Sequence, residues 1–156
     1  MASERLKIVD LSGGVPATIE LLQALRRNEI VAMQGDRVYQ RHSADVPFFS
    51  QPASFPLGPF LLSQVSGAPV LPGFVIRQGW LRYRALMGDP IAPAPSQVAS
   101  HVPSQVTSQV TSRDEDRDAG LQEALGQAVR FLEKTLATHY DQWMNFFDFW
   151  PVASRD

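Results

Sequence analysis

A chain of 156 residues has room for one domain with a respectable core and hardly for two. Its formal net charge of -2 and pI near 5.9 provide no basic field for nucleic acid, so nucleic acid is set aside as a partner. The absence of cysteine excludes disulfides, thiolate metal sites and a cysteine nucleophile. No apolar stretch approaches the roughly 20 residues of a bilayer span, and the opening MASERLKIVDLSGG lacks the apolar centre of a signal peptide. Taken alone, the sequence reads as soluble.

In chain order, Leu6 to Leu11 is short and apolar enough for a strand, which Gly13-Gly14 would end. From Val15 the period becomes helical: Pro16 suits a first turn, Ile19, Leu22 and Leu25 recur with Leu21 beside them, and Arg26-Arg27 place cations where the helix dipole favours them. A helix over 15–27 is predicted. Glu29 to Gly35 then reads as a strand, completing a β-α-β start with a right-handed crossover. Residues 36–56 carry proline and phenylalanine without a clear period, so they read as an ordered loop lying on something. Leu57 to Gly67, with Pro59 in its first turn and Gly67 as terminator, predicts a short buried helix.

Val70 to Ile76 reads as a strand despite Pro72. In the next run Leu81, Tyr83, Ala85 and Met87 alternate with Arg82 and Arg84, which predicts a half-exposed strand paired to the previous one through Gln78-Gly79. Residues 96–112 repeat as SQVA-SHVP-SQVT-SQVT, with too few large apolar groups to offset the entropy of ordering. A flexible insertion is expected there, and its deletion is expected to leave a cooperative melt intact. Leu121, Leu125, Ala128, Leu132 and Leu136 then mark an amphipathic helix preceded by acids. The aromatic tail from Tyr140 to Trp150 requires a surface to cover. The fold class expected is α/β: a partial, mainly parallel sheet with flanking helices, a C-terminal amphipathic helix and an aromatic tail.

Five segments come in a telling order: Gly35-Asp36-Arg37; Val46-Pro47-Phe48-Phe49; Ala53 through Pro59; Gly67 through Pro72; and Gln142-Trp143 with Phe146 and Trp150. In that order they resemble the bacterial lipid A late acyltransferases, within the lysophospholipid acyltransferase superfamily, over about residues 5–91 and 119–150. The resemblance implies transfer of a fatty acyl chain from acyl carrier protein or acyl-CoA, as donor substrate and not cofactor, to a hydroxyl of a lipid A-like glycolipid or a lysolipid. It implies a place on the cytoplasmic side, peripheral to the inner membrane. The family's catalytic motif is His, four residues, then Asp, the logic of a base and its orienting acid. Here the corresponding positions after His42, His101 and His139 hold Pro47, Val106 and Met144, so no catalytic residue is assigned. In the family that motif precedes the stretch matching Leu6, and the chain therefore looks like a C-terminal half.

On this reading residues 1–91 form an acyltransferase-like core, 92–117 a repeat-containing insertion, 118–150 a helix and aromatic tail packing on that core, and 151–156 a tail. Asp36 and Arg37 stand where the superfamily contacts acceptor or phosphate, and an arginine fork suits either phosphate or carboxylate. A plain ion pair at the end of a strand is the duller alternative. Arg77 joins them as a substrate-binding candidate; with Arg82 and Arg84 it could rim phospholipid headgroups or simply form a solvated strand face. Phe48, Phe49, Phe55 and Phe60 could line an acyl groove or merely a core. His42 and Asp45 are too loosely spaced in a loop to define a dyad. No metal site is expected, and no glycine-rich phosphate loop follows a strand to favour a nucleotide domain. The alternative function is a non-catalytic lipid- or protein-binding module derived from the same fold. An N-terminal half or partner polypeptide, peripheral membrane contact and homo-oligomerisation are the partnerships expected.

Overall fold

The structure is a computed structural model, and it describes residues 6–10, 14–38, 42–95, 110–145 and 149–150. The chain divides into two compact units, Met1–Met33 and Gln34–Asp156.

The first unit is built on helix α1, Val15–Arg26, one residue short of the predicted end. Pro16 lies in its first turn, and Ala17 and Leu21 form its buried side, while Ile19 is 49% exposed. Asn28 ends the helix at φ 61, a left-handed conformation that asparagine tolerates. Two closing bonds run from Asn28 N–H to Leu25 O and from Glu29 N–H to Ala24 O, each 3.0 Å, which is the Schellman pattern. Glu20 pairs with Lys7, and Arg27 Nε lies 2.6 Å from Glu29 Oε1. The expected strands on either side of α1 are not formed among the described residues: 6–10 and 29–33 carry no ladder, and Ile30 is 97% exposed. An apolar run becomes a strand only when a neighbour takes its N–H and C=O groups. The expected parallel partner further on, Val70 to Ile76, is engaged otherwise.

In the second unit, the segment read as an irregular loop is a hairpin of β1, Ser43–Phe48, and β2, Gln51–Pro56. Val46, Phe48, Ala53 and Phe55 are buried, and the residues between them face out. The register sets Pro47 opposite Pro52 and Ser43 opposite Pro56. Next to a two-residue turn the closing pair exchanges both ladder bonds and the following pair exchanges none, so all three prolines fall where no N–H is required. Phe49 and Ser50 form the turn at φ 49 and 66. Both values are positive, as a type I′ turn needs, although Asn-Gly is the pair that adopts them readily. The double variant F49N/S50G should therefore raise stability by about 1–2 kcal/mol, read as a higher denaturant midpoint at unchanged slope.

Helix α2, Gly58–Ser66, lies close to the predicted span. Gly67 closes it at φ 77, its N–H donating to Ser63 O at 2.8 Å. A Cβ at Gly67 would meet nothing, so Gly67→Ala isolates the backbone cost, about 1 kcal/mol in a denaturant titration. Phe60 and Leu62 are buried on this helix; buried Ser63 and Gln64 are satisfied by Ala68 O at 2.6 Å and Pro95 O at 3.2 Å.

Strands β3, Gly73–Gly79, and β4, Arg82–Met87, pair antiparallel, as the alternation suggested, with a bulge between Arg77 and Gly79. Their turn lies at Trp80-Leu81, two residues beyond the expected Gln78-Gly79, and Leu81 adopts φ 58. An isolated bridge joins Val70 to Ile91. Helix α3, Val110–His139, begins in the last units of the tetrapeptide repeat; the repeat at 96–109 lies outside the described residues. Leu121, Leu125, Leu132 and Leu136 are buried along α3, with Ala124 and Val129 beside them. On its outer side Arg130 and then Gln127 hydrogen-bond Glu123 and hold that carboxyl below the usual carboxylate range. That small, exposed contribution is present above ordinary carboxylate titration and is lost as pH falls through the lowered value.

The core gathers α3, the β1–β2 hairpin and Phe60 of α2, with Trp143, Phe149 and Trp150 packed against it. Phe74 of β3 stacks toward Phe131 of α3 at 5.5 Å between centroids. Helices and strands are thus mixed as expected, but both sheets are two-stranded and antiparallel, and no parallel pair occurs among the described residues.

Candidate functional site

The α3 helix ends in a 3-10 turn, Tyr140–Gln142, which hands the chain to Trp143. There a dipeptide ties together two segments far apart in sequence. The Trp143 indole Nε1–H donates to Asp36 Oδ2 at 3.3 Å across 107 positions. The Gln142 amide accepts from Arg77 N–H at 2.7 Å and donates to Arg77 O at 3.2 Å, much as a neighbouring strand would. Gln142-Trp143 therefore holds the Asp36-Arg37 bend and the Arg77 backbone as two ends of one clamp.

Beside this clamp is an aromatic cluster centred on Phe48. Its ring lies 5.3 Å from Phe55, 5.7 Å from Trp143, 5.4 Å from Phe149 and 5.5 Å from Trp150, the last stacked at 15°. Trp150 also donates its Nε1–H to Phe48 O at 3.3 Å, so the indole is satisfied while its ring is packed. Of the four phenylalanines considered for an acyl groove, Phe48, Phe55 and Phe60 are buried in the core, while Phe49 is 46% exposed. Phe49 is also fixed in place: its N–H donates to the Glu133 carboxylate of α3, and its turn holds it at positive φ. A residue kept in so unfavoured a conformation at a surface is a candidate for contact with a ligand.

Asp36 and Arg37 are both half-buried. The indole fixes the Asp36 carboxylate at a bend, Gly35-Asp36, that Arg37 follows, and a guanidinium has the planar fork that recognises phosphate or carboxylate. Arg77 is exposed; its Nε donates to Gly79 O at 3.2 Å, and its guanidinium carbon lies 6.0 Å from the Trp80 ring centroid.

The histidines lie elsewhere. His42 is exposed and its carbonyl accepts from Leu57 N–H, while His139 Nδ1 meets Thr138 Oγ1 at 2.7 Å and Thr135 O at 3.3 Å. His101 lies outside the described residues. No group of three metal-ligating side chains occurs among the described residues, and no described helix is long and apolar enough to cross a membrane.

Asp36, Phe48, Phe55, Trp143 and Trp150, which meet here, lie in four of the five segments that carried the family resemblance, and comparison with known proteins agrees. A family model described as bacterial lipid A biosynthesis acyltransferase matches residues 2–150. The chain belongs to this family. Among characterised proteins, the phosphatidylinositol mannoside acyltransferases of Mycobacterium tuberculosis strains CDC 1551 / Oshkosh and ATCC 25618 / H37Rv are each 36% identical over 67 residues, covering 42% of this chain. The match spans 21% of the length of either relative. No solved structure matches the chain.

For this acyltransferase-family chain, sequence reasoning named Asp36, Arg37 and Arg77 but missed what joins them. Gln142 and Trp143 belong to the resemblance, yet no local pattern reveals a hydrogen bond across 65 or 107 positions. Nothing in the sequence around Glu133 marks it as the partner of Phe49 N–H. Tryptophan is the side chain whose buried N–H most needs an acceptor, so an aspartate in a family segment was the available hint.

Proposed function

We propose that this chain carries the acceptor-recognition part of an enzyme that moves a fatty acyl group from acyl carrier protein or acyl-CoA to a hydroxyl of a phosphorylated glycolipid. Membership of the lipid A biosynthesis acyltransferase family over residues 2–150 is the observation that carries this reading. The likeness to phosphatidylinositol mannoside acyltransferases favours an acceptor built on phosphoinositol. Such an acceptor offers a phosphate to the Arg37 fork, which the Asp36–Trp143 bond orients, with Arg77 at the other end of the clamp. Phe49 is the aromatic ring that an acyl chain would meet first.

Chemically, the acceptor hydroxyl oxygen attacks the thioester carbonyl, the carbon–sulfur bond breaks, and the hydroxyl proton passes to a base and on to the departing thiolate. The family's His-x4-Asp pair is the base expected, and the three histidines of this chain lack that spacing. We assign the base to residues outside these 156, on the same or a partner polypeptide, acting at the cytoplasmic face of the inner membrane.

The purified chain alone should then transfer no acyl group from acyl carrier protein or acyl-CoA to phosphatidylinositol mannoside or a lipid A precursor, with product followed by mass spectrometry. Turnover above the no-enzyme control that disappears in H42A or H139A would show that the base is here.

A further inference from the structure

The β3–β4 hairpin has one anchored side and one unoccupied side. Phe74 and Ile76 face the interior, the first against Phe131 of α3 and the second 4% exposed. On the opposite side Val75, Tyr83 and Met87 are 72%, 61% and 56% exposed, and the register sets Val75 across from Ala85 and Arg77 across from Tyr83. At the tip, Trp80 and Leu81 are 85% and 79% exposed, the latter at positive φ. A large aromatic and a leucine at the end of a two-stranded arm, backed by a tyrosine and a methionine, form a surface that water does not favour.

Along the hairpin's own sequence the charge is of one sign. Between Asp45 and Asp89 the sequence holds no acidic residue, and its three cations there are Arg77, Arg82 and Arg84, all on this hairpin. None of the three forms a salt bridge among the described residues, and all are exposed. Arg77 and Tyr83 share one face, whereas Arg84, opposite Ile76, belongs to the other, so the cations form a collar around the arm. At about 3.3 Å per residue, Arg77 and Arg84 stand about 10–13 Å behind the tip. Interfacial elements enter a bilayer by about 5–10 Å, and arginine stems are long enough to keep their guanidinium groups at phosphate level.

We propose that the β3–β4 hairpin is a membrane-docking arm, in which Trp80 and Leu81 enter the headgroup–acyl boundary of an anionic bilayer and Arg77, Arg82 and Arg84 hold lipid phosphates around them. Tryptophan and tyrosine are the residues that favour this interface, and arginines outside any salt bridge among the described residues supply the complementary charge. The arm points to a bilayer more than to a protein because a wholly apolar protein seat would desolvate three guanidinium groups that form no salt bridge among the described residues. Docking requires no turnover, so its test is separate from that of acyl transfer.

The experiment mixes the full chain with vesicles of phosphatidylcholine alone or with one-third phosphatidylglycerol, and measures co-sedimentation, self-association by light scattering, and tryptophan quenching by brominated lipid. The expected result is binding to the anionic vesicles only, weakened by salt, with bromolipid quenching that W80F removes; Trp143 and Trp150, packed on the core, provide the residual signal. At about five-fold per basic residue near an anionic surface, R82E/R84E should lower partitioning at least 25-fold. W80S/L81S should lower it as well, and both pairs sit on exposed positions, so circular dichroism should show unchanged folding. Absence of binding, or binding indifferent to both double variants, would overturn the proposal. So would a dimer that the same variants dissolve while vesicle binding persists, because the arm would then seat a second copy of the chain.

Discussion

Replacing Phe48 by alanine should cost about 3–5 kcal/mol, the largest single-residue effect on stability expected in this chain. Phe48 is wholly buried and its ring neighbours Phe49, Phe55, Trp143, Phe149 and Trp150, so truncation opens a cavity that no single neighbour can fill. A domain of ordinary stability has about 5–15 kcal/mol in total, so the variant should melt at least about 10 °C lower. It should also loosen the tail, since Trp150 is held both by stacking on Phe48 and by its bond to Phe48 O. Tryptophan emission in the folded variant should therefore shift to the red. Phe48→Leu, which retains most of the volume, should lose less than half as much. A melt of Phe48→Ala within 2 °C of the parent would mean that the aromatic cluster is not the core.

Loss of Arg37 should have the largest effect on function. On the proposed function, with the His-x4-Asp polypeptide supplied, Arg37→Ala should lower kcat/KM about 10–100-fold, the worth of a charge-assisted bond to an acceptor phosphate. Arg37→Lys should recover only part, because an ammonium retains the charge and loses the planar fork. Trp143→Phe offers the complementary test: it retains the ring and removes the N–H that fixes Asp36, so activity should fall several-fold with little change in melting temperature. The acceptor's KM should carry these losses, and an acceptor without phosphate should be indifferent to Arg37. Equal loss on phosphorylated and unphosphorylated acceptors would assign Arg37 to the frame of the bend instead of the ligand.

The helices were legible because their signals are local. Pro16, Pro59 and Gly67 mark ends, and the heptad-like spacing from Leu121 to Leu136 marks a face; the structure places α1 and α2 within a residue or two of expectation, whereas α3 begins earlier, at Val110, inside the stretch expected to be a flexible insertion. The β3–β4 pairing was legible for the same reason, through the alternation after Trp80. The β1–β2 hairpin was not, because three prolines argued against strands, and only the register shows that Pro47, Pro52 and Pro56 stand where a ladder needs no donor. Val46, Phe48, Ala53 and Phe55 did alternate, but Phe49-Ser50 lacks the turn chemistry that would have announced the hairpin. Conversely, the runs at Leu6 and Glu29 have strand composition without a described partner; composition reports what a segment can bury, and a ladder requires a neighbour. The candidate site shows the same division. Asp36, Arg37 and Arg77 stand in recognisable segments, while the clamp between them depends on where the end of α3 delivers Gln142 and Trp143.

If this chain recognises the acceptor in an acyl transfer whose base lies elsewhere, the decisive test incubates it, together with the family's His-x4-Asp polypeptide, with acyl-CoA or acyl carrier protein and phosphatidylinositol mannoside, and weighs the glycolipid by mass spectrometry. One added acyl group per acceptor is expected, formed only when both parts are present and strongly reduced by Arg37→Ala. A glycolipid of unchanged mass with both parts present, whichever thioester is supplied, would contradict that reading and leave a lipid-binding module in its place.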